Sequence, residues 1–164
     1  DPPQPSDNDK ASCEYLDLPS HIYSVRMKEW CSFEPSGWKA PSLIGRSFIW
    51  GVHDCWSIVT DWLKENKNID IPHWERPKTL KKFTENPQFE YALPKLNFIK
   101  QESTTDIQVG DVLLFQSVTK KLDHVAVYIG DNMMLNHNIR RLSCREPFDL
   151  SAQNALRSVY RYAA

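Results

Sequence analysis

A cysteine at position 55 and a histidine at position 124 are the two residues of this sequence best suited to work together as a chemical pair. Imidazole can take a thiol proton, the thiolate can attack a carbonyl carbon, and the imidazolium can reprotonate a leaving amine. Such pairs are usually assembled from distant parts of a chain. A third polar group must hold the ring, and Asn136 and His137 follow His124 at a suitable remove. They are neighbours on an apparent strand, so their side chains face opposite ways and only one of them can meet His124. Asn136 offers a carbonyl oxygen to a ring N–H, and His137 offers an acceptor nitrogen; spacing leaves the choice open.

The bland alternatives are a small buried thiol at 55 and an ordinary hydrogen-bonded histidine at 124. A rival metal site would draw on His53, Asp54, Cys55, Asp123, His124 and His137. No two of these have the helical or closely spaced chelating arrangement such a site needs, so neither a metal nor a cofactor is expected.

The elements that would position the pair can be read around it. In Phe48-Ile-Trp-Gly-Val-His-Asp-Cys-Trp-Ser-Ile-Val-Thr-Asp-Trp-Leu63, a strand-like approach ends at Gly51 and a polar corner follows. Ile58, Val59, Trp62 and Leu63 then recur at helical spacing. Asp54 is a natural N-cap, which makes Cys55 a first-turn residue. Unpaired amides and the helix macrodipole favour a thiolate there, lowering a thiol pKa that is about 8.5 when unperturbed. The helix is expected to end around Lys64–Asn68. Trp50, Asp54 and Trp56, which flank the thiol, are the candidate substrate-binding residues.

Further on, the period changes. Val112-Leu-Leu-Phe115 has buried-strand length, Asp123–Ile129 is a second strand, and Gly130-Asp-Asn132 is a hairpin turn into Met133–His137. Ser158–Tyr162 alternates and adds another strand. A cysteine-bearing helix on an antiparallel sheet bearing histidine is an α+β layout. Between helix and sheet, residues 69–105 carry Pro72, Pro77, Pro87 and Pro94 among many aromatics. This insert is read as a packed covering or specificity element with short helices at 79–85 and 88–93.

Residues 1–12 look like an extended Pro-rich arm, Cys13–Leu16 a helical turn, and His21–Val25 with Glu29–Phe33 a hairpin. The linker-like Glu34-Pro-Ser-Gly-Trp38 suggests two domains, 1–36 and 37–164. Hydrophobic residues at 41% and six Trp are enough for a real core. A net charge of −1 removes the electrostatic case for nucleic acid or an anionic membrane as partner. No apolar run has spanning length, and the first residues do not read as a secretory signal. Cys13, Cys31, Cys55 and Cys144 form no paired knuckle and are expected as reduced thiols.

Taken together, Phe48-Ile-Trp-Gly51, Asp54-Cys55, Val109-Gly-Asp-Val-Leu-Leu-Phe115 and His124-Val-Ala-Val-Tyr-Ile-Gly130 resemble the NlpC/P60 cysteine peptidases, which cleave the stem peptides of peptidoglycan. The resemblance covers residues 45–137. It implies a papain-like fold, Cys55 as nucleophile, His124 as base, and a third polar residue twelve positions later, at Asn136, with His137 as alternate. It also implies a bond between D-Glu and a diamino acid as the target. Departures are Phe48 for the usual Tyr, Val52 for the second Gly, and Trp56-Ser57 for Ser-Gly after the nucleophile.

These departures resemble the branch of the family found in phage tail tip assembly proteins, which carries Gly-x-x-Asp-Cys. That branch implies tail tip proteins and bacterial peptidoglycan as partners. It implies a place in the virion tail tip, or in the host cytoplasm during assembly, with action on the wall in the periplasm. A JAMM/Mov34 domain precedes the peptidase domain in that branch, and Pro5-Ser6-Asp-Asn-Asp9 is similar to the Ser-x-x-Asp end of its zinc motif. Residues 1–36 would then be a JAMM remnant, unable to bind zinc without the upstream histidines.

Overall fold

A computed structural model describes residues 3–39, 42–77, 79–86, 88–116 and 122–163. Pro87 of the insert and the first two residues of the N-terminal arm lie outside these. The chain divides into two compact units, Asp1–Ser42 and Leu43–Ala164.

In the first unit the expected extended arm is a helix, α1 (Asp7–Leu16). Ser6 caps it, and Ser6 and Asp9 form a reciprocal capping box: the Asp9 amide donates to Ser6 Oγ at 3.2 Å and the Ser6 amide donates to Asp9 Oδ2 at 2.9 Å. The prolines that suggested an arm all precede the cap. Strands β1 (Ser20–Ser24) and β2 (Glu29–Phe33) pair antiparallel as the expected hairpin. The unit runs past residue 36 because Glu14 on α1 reaches the following segment. Its carboxylate accepts from the amides of Ser36 (2.6 Å), Gly37 (3.2 Å) and Trp38 (3.0 Å).

The second unit is a six-stranded antiparallel sheet with helices on both faces. Its central helix, α2, spans Cys55–Lys67 and ends at Asn68 in the left-handed conformation. Then follow α3 (Leu80–Glu85), α4 (Gln88–Lys95), β3 (Phe98–Lys100), β4 (Val112–Phe115), β5 (His124–Gly130), β6 (Met133–Asn136), β7 (Cys144–Pro147), α5 (Leu150–Ala155) and β8 (Leu156–Tyr162). The sheet order is β3-β8-β4-β5-β6-β7. The β5–β6 turn places Asp131 and Asn132 at φ 51° and 54°, the positive pair that a type I′ hairpin requires.

Alternation along the strands sorts the core into two layers. Val112, Leu114, Val125, Val127 and Leu135 pack with Ile58, Val59 and Leu63 of α2. Leu113, Phe115, Ala126 and Met134 pack on the other face with Phe148 and Leu156. Strands buried on both faces read as continuous apolar runs, which is the pattern of 112–115. The insert packs too: Trp56 of α2 meets Trp74, Phe89 and Phe98 with ring centroids 5.8, 6.3 and 5.9 Å away.

The sequence reading passed over β3, β7 and α5. Strand β7 contains Arg145, Glu146 and Pro147, which suit an edge strand but carry no apolar alternation. Leu114 is fully buried in the layer that packs against α2, so Leu114→Ala should lower the unfolding free energy by about 2–5 kcal/mol in a urea titration.

Candidate active site

Helix α2 begins where the sequence places it, and one carboxylate holds that start together. Asp54 has extended backbone, and its Oδ1 accepts from the amides of Trp56 and Ser57, both at 3.0 Å. Its Oδ2 accepts from the amide of Gly51 at 2.8 Å and from Arg76 Nη2 at 2.7 Å and Nε at 3.2 Å. Ser57 Oγ completes the box by accepting from the Asp54 amide at 2.6 Å. Gly51 sits at φ +82°, and the chain before it forms only an isolated bridge between Ile49 and His53 instead of a full strand. That tight turn aims the Gly51 N–H at Asp54. The side chains of Arg76 and Asp54 are 6% and 1% exposed, so this is a buried ion pair.

Cys55 follows the cap and is buried. The backbone amide of Val125 is turned toward its sulfur, and Cys55 and Val125 share one core cluster, which brings the first turn of α2 to the start of β5. The thiol is not depressed as helix position alone predicts. Burial pushes it up to about 12, the Asp54 carboxylate adds to the rise, and the Val125 amide, Arg76 and the amide of Cys55 itself only oppose it. The resting sulfur is therefore a neutral thiol.

His124 occupies the first position of β5, next to the Val125 amide. Its Nε2 lies 2.5 Å from Asn136 Oδ1. Burial lowers the ring's pKa, opposed first by the Asn136 hydrogen bond, then by Asp123, Glu146 and Asp54. The ring is thus a neutral base near pH 7. With Nε2 engaged, Nδ1 is the other ring nitrogen; among the described residues no hydrogen bond joins the ring to Cys55 Sγ.

The choice that spacing left open follows from the pleat. Leu135 pairs with Val127 on the α2 face, so Asn136 falls on the opposite face with His124. His137 returns to the α2 side, fully buried, with the Phe48 ring edge-on at 5.2 Å. The Arg46 carbonyl is turned toward His137, but neither ring nitrogen completes a hydrogen bond of good geometry.

The candidate substrate-binding residues fare differently from one another. Trp56 is 2% exposed and belongs to the aromatic core, and the Asp54 carboxylate is fully engaged by the helix cap and Arg76; neither presents a surface to a ligand. Trp50 is half-buried, donates from Nε1 to the Pro77 carbonyl at 2.8 Å, and stacks edge-on to Phe83 at 5.4 Å. On the far side of His124 a cavity of about 370 Å³ is lined by Phe115, Met134, Asn136, Glu146 and Asp149. No group of three or more His, Cys, Asp or Glu among the described residues stands where it could hold a metal ion.

Two participants escaped the sequence reading. Arg76 lies in the Pro-rich insert, where no periodicity points to it. Glu146 accepts from Asn136 Nδ2 at 2.6 Å and lies in the edge strand that went unread.

A cysteine at a capped helix start, packed on an antiparallel sheet that carries an Asn-bonded histidine, defines a papain-like α+β protein. The NlpC/P60 family model matches residues 45–161, and the chain belongs to that family. Among proteins, it is similar to tail tip assembly protein K of Escherichia phage N15, 29% identical over 97% of this chain and 64% of that protein. It is likewise similar to tail tip assembly protein K of Escherichia phage lambda, 29% identical over 76% of this chain and 61% of that one. The chain thus spans less than two-thirds of the length of either phage relative. Among solved structures, the NlpC/p60 domain of the peptidoglycan hydrolase SagA aligns over 73% of this chain and 89% of its own, at 18% identity and a TM-score of 0.46. An NLP/P60-family protein from Staphylococcus aureus, described as similar to lipoprotein, aligns over 74% and 38% at 19% identity and a TM-score of 0.48.

Removing one partner of a buried ion pair strands the other, so Arg76→Ala should lower the unfolding free energy by about 3–5 kcal/mol, read by chemical denaturation. The raised Cys55 pKa also has a pH consequence. The folded state holds the thiol proton more tightly than the unfolded chain, so the resulting stabilisation is complete below about pH 8.5 and is lost as pH rises toward 12. Unfolding titrations between pH 8 and 11 should show a steeper loss in the native protein than in Cys55→Ala; parallel slopes would contradict the buried thiol.

Proposed function

We propose that the Leu43–Ala164 unit is a thiol endopeptidase that hydrolyses the peptide part of bacterial peptidoglycan, at the bond between D-Glu and a diamino acid. The observation that carries this reading is a cysteine in the first turn of a capped helix, packed in one core cluster with Val125, the chain neighbour of a histidine whose Nε2 is held by Asn136.

Cys55 is the nucleophile, His124 the base and then the acid, and Asn136 the group that orients the ring. Both partners rest neutral, so proton transfer from Sγ to Nδ1 accompanies attack on the scissile carbonyl. The backbone N–H of Cys55 can donate to the oxyanion that forms. Collapse of the tetrahedral intermediate breaks the C–N bond as His124 delivers its proton to the leaving amine. A water molecule, deprotonated by the same ring, then hydrolyses the thioester. Phe48 provides no hydroxyl to this oxyanion, which leaves stabilisation to backbone donors.

The names of the two phage relatives support a setting in tail tip assembly; other tail proteins are the proposed partners, and the host wall in the periplasm is the proposed place of action. In this setting residues 1–36 correspond to the end of a JAMM domain, in which Ser6 and Asp9 cap α1.

A second reading, a non-catalytic assembly factor, is favoured by the buried and protonated Cys55 and by the assembly names of both relatives. Digestion of purified sacculi and muropeptides separates the two. Release of stem-peptide fragments is expected from the native protein, none from Cys55→Ala, and about 10²–10⁴-fold less from His124→Ala. Because burial lowers the His124 pKa, kcat/KM should hold down to about pH 6.5 and fall only below it. Equal product from native protein and Cys55→Ala would leave the assembly reading.

A further inference from the structure

The hydrogen-bond chain behind His124 continues past Asn136 to Glu146. In the β6–β7 register Met134 faces Glu146 and Asn136 faces Cys144, so Glu146 projects on the same sheet face as Asn136, one diagonal away. Glu146 Oε2 accepts from Asn136 Nδ2 at 2.6 Å, while its other oxygen stands 3.6 Å from Arg141 Nη1. Asn136 is 4% exposed, so no abundant water competes for its amide.

A primary amide presents a donor at one end and an acceptor at the other, and rotation by half a turn exchanges them. The amide alone does not decide which end meets an imidazole. A carboxylate does decide, because it has acceptors only and can bind only the NH₂ end.

We propose that Glu146 is a positioning residue that sets the tautomer of His124 through Asn136. By capturing Nδ2, Glu146 turns Oδ1 toward the ring. An acceptor oxygen at Nε2 requires the ring proton to be on Nε2. The lone pair is then on Nδ1, the nitrogen that must receive the thiol proton. With the amide rotated, an N–H would face Nε2, the lone pair would move there, and a protonated Nδ1 could no longer act as base. The inference rests on the reading of His124 as general base, but its physical content, the position of one proton, can be measured without turnover.

Long-range ¹H–¹⁵N correlation spectra of the uniformly labelled native protein, at a pH where the ring is neutral, report which nitrogen of His124 carries the proton. Protonation on Nε2 is expected, and protonation on Nδ1 in the native protein would overturn the proposal outright. Glu146→Leu removes the acceptor and should give a mixture of tautomers. Glu146→Gln retains an acceptor oxygen and should keep mainly Nε2–H. If the leucine variant loses its dispersed amide spectrum, Glu146→Ala gives the same reading with less bulk. A folded Leu or Ala variant with His124 still wholly Nε2-protonated would overturn the proposal. On muropeptides, Glu146→Leu should lower kcat by more than about tenfold with KM nearly unchanged, and Gln should restore most of it, because a base in the wrong tautomer binds substrate but cannot turn it over. If the spectra behave as expected while even the native protein cleaves nothing, the tautomer assignment stands and the peptidase reading fails.

Discussion

The Asp54 carboxylate is the constraint on which the site depends. A helix start leaves amides without partners, and burying one needs an acceptor that is itself compensated. Asp54 takes the amides of Gly51, Trp56 and Ser57, and Arg76 neutralises it from the insert. The same group fixes the turn before the cysteine, the first turn after it, and a segment more than twenty residues away. It exacts a chemical cost, since a carboxylate next to a buried sulfur favours the thiol over the thiolate. The fold thus supplies placement, and under the proposed peptidase reading Cys55 must lose its proton to the base when substrate arrives.

The sheet divides the remaining work by face. Residues of even and odd number on β5 and β6 go to different layers, so the helix side receives apolar Val125, Val127 and Leu135. The polar chain from His124 through Asn136 to Glu146 runs on the other side, beside the cavity lined by Phe115 and Met134. Val125, at the start of β5, turns its backbone amide toward the Cys55 sulfur on the helix side. Asn136 and His137 differ by one position in sequence and by an entire face in space, and the pleat rather than chemical suitability separates them.

Much of this was legible because it rests on short-range rules. Asp54 before an apolar stripe announced the helix, the Gly130-Asp-Asn132 turn announced a hairpin, and period-two reasoning showed that Asn136 and His137 could not both meet His124. What could not be read depends on long-range partners. Nothing local in the insert marks Arg76 as the counterion of Asp54, and Glu146 lies in an edge strand whose charges and proline look like a loop. The depressed thiol failed for a related reason: helix position is local, whereas burial beneath β5 is tertiary, and burial is the larger effect here. The arm that proved to be α1 erred the other way: the prolines before Ser6 pointed to an extended lead, while the Ser6–Asp9 spacing already fitted a capping box.

The sheet order has a consequence for synthesis on the ribosome. Strand β8 lies between β3 and β4, although it is translated after every other strand of the sheet. Until Leu156 and its successors emerge, Val112–Phe115 has β5 on one side and an open backbone edge on the other. The cysteine helix and the histidine strand can form early, but the sheet closes late, so a nascent chain carries Cys55 and His124 well before the sheet that holds them is complete.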